Sequence, residues 1–249
     1  MTTREATSLL PRAADAAVIG DYARSLSEWA AVLAFGAIQW PWLLRSLHGG
    51  TLAEKHALLD RLELSDDALP YLGSWKADTG LLKLIVDHIE VHRPRLVVEF
   101  GTGASTLVLA RALQRNGGGT LISFEQHKEF VEATRKWLAD HGLHADLRVA
   151  PLAPSRGGWP GLWYDHGPLP GGIELMLIDG PPWSVHPLTR GAAATLFDQV
   201  APGGTVMLDD AARPGERLVA RRWRKLRPDF RWRLDKSGAK GTLIGQRRK

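Results

Sequence analysis

The sequence contains no cysteine, which excludes disulfide cross-links and thiolate metal sites and fits a reducing compartment. Long hydrophobic runs are also missing. The strongest candidate, residues 29–44, is interrupted by Gln39 and Pro41 and is shorter than the roughly 20 apolar residues that a bilayer crossing needs. A buried helix broken before Pro41 is expected there, with a position in a membrane interface as the alternative. Near the start, Arg4, Glu5, Pro11, Arg12 and Asp15 break up the apolar residues, so no secretory signal is expected and a cytoplasmic location is. Neither an internal repeat nor a low-complexity run organises the chain.

The 249 residues are 44% hydrophobic and 24% charged. That is enough to bury a sizeable core in one large domain, or in one domain with an extension. Charge is unevenly spread: the net value is +5, yet residues 213–249 hold fourteen Lys or Arg against three acids. The simplest reading of this tail is a solvated face of helix and edge strand, and the alternative is a patch for an anionic partner such as nucleic acid, an acidic sugar or a phosphorylated metabolite.

Two regions emerge from periodicity. Residues 1–78 are expected to form a helical extension. It has an apolar-rich stretch over 13–38, then Thr51 with Glu54 three positions later as a capping box opening a helix through Leu62. From residue 79 the pattern alternates. Leu81, Leu82, Ile85 and Ile89 lie on one helical face, and short apolar runs at 96–100, 120–124, 173–178, 205–208 and 241–244 have strand length, with a further strand at 145–150. Helices at 104–114, 128–140 and 188–200 separate the strands, and residues 230–234 with 241–244 form a closing hairpin. The expected architecture is α/β: a doubly wound, mostly parallel seven-stranded sheet with an antiparallel edge, over residues 79–249.

The first strand ends Val97-Val98-Glu99-Phe100-Gly101-Thr102-Gly103-Ala104-Ser105-Thr106. Glycine allows a tight turn and lets a ligand approach the backbone. The third glycine of a dinucleotide fingerprint is replaced by Thr106, which disfavours a nicotinamide or flavin enzyme. The second strand ends in Glu125, twenty-four positions after Gly101, where a carboxylate can accept both hydroxyls of a ribose. A third strand delivers Asp179 into Gly180-Pro181-Pro182, and a fourth ends Leu208-Asp209-Asp210 with Arg213 beyond. In an open parallel sheet these five acids share one rim, outside the carboxyl ends of the strands.

The acid-x-Gly-x-Gly segment resembles the first motif of class I S-adenosylmethionine-dependent methyltransferases, and the strand order over 79–246 is similar to theirs. The resemblance implies that Gly101, Thr102, Gly103 and Ser105 cradle the methionine part of S-adenosylmethionine with Glu99 near its amino group. It also implies that Glu125 and Gln126 hold the ribose and that Asp179 adjoins the cofactor. Where many relatives carry an acid for adenine, this chain has Val149-Ala150-Pro151-Leu152, so adenine would be held by backbone and apolar contacts. Asp179, Asp209 and Asp210 look like the metal ligands of catechol-type O-methyltransferases and imply Mg²⁺. The pair is Asp-Asp instead of Asp-Asn, however, and Pro182 stands where that family has its lysine. Asp179, Asp209 or His186 then remains as the base. For the acids the structural alternative is that Asp210 caps the following helix and Asp209 pairs with Arg213.

Residues 151–172, with Trp159, Trp163, Tyr164, Asp165 and His166, read as an aromatic substrate lid, or else as a small satellite core beneath a loop. The expected function is methyl transfer to an oxygen of a small-molecule or carbohydrate acceptor. The alternatives are an RNA-directed methyltransferase that uses the basic tail and a non-catalytic cofactor-binding protein. The helical extension offers a surface for a homodimer.

Overall fold

The computed structural model describes residues 23–249; the part of the expected 13–38 stretch before residue 23 lies outside them. Helix α1 (Leu26–Ile38) is opened by a capping box of Ser25 and Glu28. The break expected before Pro41 falls at Gln39, and Pro41 sits in the first turn of α2 (Trp40–Ser46), where a missing N–H costs no helical bond. The predicted Thr51–Glu54 capping box opens α3 (Leu52–Leu62). Glu54 N donates to Thr51 Oγ1 at 3.1 Å, and Thr51 N donates to Glu54 Oε2 at 2.7 Å; such a cap contributes about 1 kcal/mol.

The stretch at 29–44 departs from expectation in its burial. Trp29, Leu33, Ile38, Trp40 and Leu44 are exposed, while Val32 and Leu43 pack on Trp183. A helix that is apolar on every side can bury only the stripe that meets a partner, and here that stripe is narrow. Among the described residues no helix is long and apolar enough to cross a membrane.

Helix α4 (Thr79–His92) starts at the N-cap Asp78 and buries Leu81, Leu82, Ile85 and Ile89, the face expected from the spacing. These residues share one core with Leu58, Leu59 and Leu62 of α3, so the second half of the extension is packed into the hydrophobic core of the α/β region. Then come β1 (Leu96–Phe100), α5 (Ala104–Arg115), β2 (Thr120–Glu125), α6 (Lys128–Asp140) and β3 (Asp146–Val149). The remaining elements are β4 (Leu152–Pro154), β5 (Leu162–Tyr164), β6 (Ile173–Ile178), a 3₁₀ helix (Thr189–Gln199), β7 (Val200–Leu208), α7 (Pro214–Leu226), β8 (Phe230–Asp235) and β9 (Thr242–Arg247).

The seven-stranded sheet has the order β3-β2-β1-β6-β7-β9-β8. Its first five strands are parallel, and β9 runs antiparallel to both β7 and β8. The chain builds outward from β1 to β3 and then returns to the other side of β1 with β6. That reversal, between β1 and β6, is where ligands bind in such sheets.

Two expectations are corrected. The helix expected over 188–200 is wound as a 3₁₀ helix, a tighter form usually confined to short pieces. Two tethers accompany this winding: Gly191 lies against the Trp159 ring, where a Cβ would collide, and the Arg190 guanidinium is held by Pro181 O at 3.0 Å. The segment 151–172 is not an open lid. It contains the β4–β5 hairpin, and Trp159, Trp163 and Tyr164 are buried. Trp163 and Tyr164 lie 5.1 and 5.6 Å from the Phe100 ring. Aromatic rings of this size are more stable covered than exposed, and the satellite-core alternative describes them.

Candidate active site

Sheet hydrogen bonds continue past the strand ends and bring the loops into line. Gly101 N donates to Phe124 O at 2.8 Å, Asp179 N and Gly180 N donate to Phe100 O at 2.9 and 2.8 Å, and Asp209 N donates to Ile178 O at 3.0 Å. The five predicted acids therefore do share one rim. Gly101 has φ +96°, and a Cβ there would come within 2.9 Å of Gly180 N; only glycine fits both demands. Among the described residues a Cβ on Gly103 would meet nothing within 4 Å, so this edge of the turn has room for a ligand.

Glu99 is fully buried and its carboxylate takes three hydroxyl donors. Ser105 Oγ donates to Oε1 at 2.6 Å, and Thr106 Oγ1 and Ser123 Oγ donate to Oε2 at 2.7 Å each. Thr106 Oγ1 also accepts from Gly103 N at 2.9 Å. The acid thus ties the glycine turn to β2. Burial pushes its carboxyl up to about 7, with the three hydroxyls acting the other way. The Thr106 that replaced the third glycine is part of this brace, a role its position alone did not announce.

Glu125 is held by backbone. Gln126 N and His127 N donate to its Oε1 at 3.0 and 3.1 Å, and Thr102 N donates to Oε2 at 3.3 Å. Burial pushes this carboxyl up to about 7 as well. Beside it, the Thr102 hydroxyl and the Gln126 side-chain carbonyl are buried without a hydrogen-bond partner among the described residues. Unpaired buried polar atoms are costly. Grouped beside an open glycine edge and a carboxylate, they fit a polar nucleoside-type ligand. Tyr164 joins them: its hydroxyl is buried and has no hydrogen-bond partner among the described residues, and it lies where a Cβ on Gly180 would be.

Asp179, Asp209 and Asp210 bring carboxylate oxygens within 4.8 Å of one another, so the predicted cluster forms. Its charge is answered from within the chain. Asp210 Oδ2 receives Arg190 Nη1 at 3.0 Å and Arg213 Nη2 at 2.5 Å, and Lys240 Nζ lies 3.5 Å from Asp209 Oδ2 and 3.6 Å from Asp210 Oδ1. Arg190 Nη2 is 3.5 Å from Asp179 Oδ1, and Arg213 also reaches Glu216 at 3.0 Å. Burial works against ionising Asp210, but Arg213, Lys240 and Arg190 hold its carboxyl well below the usual range. Burial pushes Asp209 well above it, with Lys240 opposing. Oxygen donors suit a hard divalent cation, but three buried cations already occupy their surroundings, and the residues do not fit Mg²⁺ as they stand. Nor does Asp209 pair with Arg213, or Asp210 cap α7: Arg213 binds Asp210, and no side-chain cap precedes α7.

His186 lies apart from this cluster. It is buried, its Nδ1 accepts from Leu188 N at 3.1 Å, and burial lowers its pKa, with Glu28 and Arg24 the charges it responds to. Arg190 and Lys240 are the residues that sequence reasoning missed. Arg190 is hidden within a helical segment. Lys240 is counted into the basic tail, of which Arg213 and Lys240 are buried.

A parallel sheet whose reversal point carries a Gly-x-Gly turn, braced by one acid and flanked by a second, has the layout of a nucleoside-cofactor-binding α/β domain. Residues 98–211 match a family described as a methyltransferase domain. Solved structures share the fold of this chain. A methyltransferase from Geobacter sulfurreducens is 18% identical, with 79% of this chain and 87% of that chain covered and a TM-score of 0.53. An O-methyltransferase from Bacillus cereus in complex with SAH is 16% identical, with 87% and 100% covered and a TM-score of 0.55. An SAH-bound methyltransferase from Podospora anserina is 12% identical, with 92% and 100% covered and a TM-score of 0.52. No curated protein matches the sequence.

Proposed function

We propose that this chain methylates an oxygen of a small-molecule or carbohydrate acceptor by direct displacement. The observation that carries the reading is the convergence of the open glycine edge, Glu125 and Asp179 at the sheet's reversal point, within the segment that matches the methyltransferase domain. The oxygen specificity rests on the likeness to the Bacillus cereus O-methyltransferase. Bound there, S-adenosylmethionine supplies an electrophilic methyl group.

Glu125 and Gln126 receive the ribose, Gly101 to Ser105 receive the methionine part, and Tyr164 closes the floor beside Gly180. Of the three candidate bases, Asp179 is the accessible one: its side chain is 15% exposed, against 0% for Asp209. Burial raises its carboxyl, with Arg190 and Lys240 opposing, which suits a group that would accept the acceptor hydroxyl's proton as the methyl–oxygen bond forms and the methyl–sulfur bond breaks, the sulfur keeping the electron pair. Holding the two reactants in line supplies most of the acceleration. Calorimetric titration with S-adenosylhomocysteine is expected to show one site per chain, with no heat from NADH. Binding of NADH instead would remove the reading.

The exposed apolar sides of α1 and α2 support a second copy as their partner, since monomers seldom leave contiguous patches of this kind open. Sedimentation should give a dimer that Leu33→Glu converts to monomer; a monomeric wild type over the micromolar range would end that assignment.

A further inference from the structure

The rim holds a cation of its own where a metal-dependent enzyme would hold a divalent ion. Lys240 stands in the turn between β8 and β9, far in sequence from the acids it faces. Its side chain is 1% exposed, and its ammonium lies between Asp209 Oδ2 at 3.5 Å and Asp210 Oδ1 at 3.6 Å. Three backbone anchors fix it there. Lys240 N donates to Asp78 Oδ2 at 3.0 Å. Lys240 O accepts from Ala212 N at 3.1 Å, and the neighbouring Gly241 O accepts from Ala211 N at 2.9 Å. Asp78 uses its other oxygen, Oδ1, to cap α4 at Leu81 N, at 2.8 Å. The start of α4, the β8–β9 turn and the loop after β7 are therefore locked together around this one ammonium.

Asp179, Asp209, Asp210 and Glu216 face Arg190, Arg213 and Lys240, and Asp78 bears on Asp209 as well. A dication placed among them would stand close to the buried ammonium, where low polarity makes repulsion severe. Meanwhile both oxygens of Asp209 are buried without a hydrogen-bond donor among the described residues; the ammonium, 3.5 Å from Oδ2, is a cation that faces them.

We infer that the Lys240 ammonium takes the place of a divalent cation in the Asp179–Asp209–Asp210 cluster, making Lys240 a positioning residue of a metal-independent rim. The inference rests on the same rim as the proposed function but does not require methyl transfer to be correct. The charge the chain supplies is permanent and anchored, so the acids are held in register without recruiting an ion.

The test is Mn²⁺ binding followed by electron paramagnetic resonance on the full chain, with S-adenosylhomocysteine affinity measured in parallel. Wild type should take up no stoichiometric Mn²⁺ at millimolar concentration. Lys240→Ala, which opens the space and leaves an excess of acid, should bind one Mn²⁺ per chain at least tenfold more tightly than wild type, and Lys240→Arg should behave as wild type. One tightly held Mn²⁺ on wild type overturns the inference, and that arm needs no variant to fold. A folded Lys240→Ala protein that binds no Mn²⁺ overturns it too. Failure of wild type to bind S-adenosylhomocysteine would instead remove the methyltransferase reading and leave the cation result standing.

Discussion

Replacing Glu125 by Ala should weaken S-adenosylhomocysteine binding at least about 100-fold. A hydrogen bond to a charged group contributes about 1.5–3 kcal/mol, a ribose offers two hydroxyls, and about 1.4 kcal/mol corresponds to each factor of ten. Discounting for water that enters the truncated site leaves about 3 kcal/mol. The geometry supports a direct effect: three backbone N–H groups, from Thr102, Gln126 and His127, fix the carboxylate without using all its lone pairs. Calorimetry on the variant checks the number, and binding within about twofold of wild type would remove the ribose role.

The same residue sets a pH dependence. Glu125 and Glu99 each have a carboxyl pushed up to about 7 by burial, against an ordinary value of 4.5. Between these values the unfolded chain has released a proton that the folded one keeps, so stability of the free protein falls as pH rises from about 4.5 to about 7 and levels off above. Ribose hydroxyls need the ionised acceptor. Cofactor affinity should therefore move the opposite way, rising with pH until about 7 and then holding steady. Glu125→Gln should flatten most of that rise, and the part that remains belongs to Glu99.

How much of this was legible in the sequence depends on the range over which each signal acts. Strand ends, the Thr51–Glu54 cap and the α4 face are local patterns, and they appear where the spacing put them. The shared rim comes from topology, because parallel strands must all point their carboxyl ends one way. What could not be read is which charges meet. Lys240 and Arg190 reach the Asp cluster from a hairpin turn and a 3₁₀ helix, and no spacing rule links position 240 to 209. Burial of the 151–172 aromatics was equally hidden. Trp163 and Tyr164 have the composition of a binding surface, and the decision was made by Phe100 and Phe124, which lie across from them. At 29–44 the error ran the other way, since apolar composition predicts a wish to be covered and not the presence of a cover.

Arg190→Met should cost about 3–5 kcal/mol of stability, the range for breaking a buried ion pair by removing one partner. Arg190 is almost fully buried. Its Nε donates to Pro181 O at 3.0 Å, Nη1 to Asp210 Oδ2 at 3.0 Å and to Asp209 O at 3.3 Å, and Nη2 to Asp179 O. The side chain thus bridges the loop after β6 and the loop after β7. Methionine fills much of the volume but answers none of those acceptors, so carbonyl oxygens are stranded and Asp179 loses its nearest cation. Arg61→Met is the control: Arg61 pairs with Asp87 and Glu90, but its side chain is 33% and theirs 38% exposed, and pairs of that kind contribute about 0–1 kcal/mol. Urea unfolding of the two variants separates the cases. Equal, small losses would mean that the cluster is solvated in the working protein, and that the charges around Asp179, Asp209 and Asp210 do not hold the rim together.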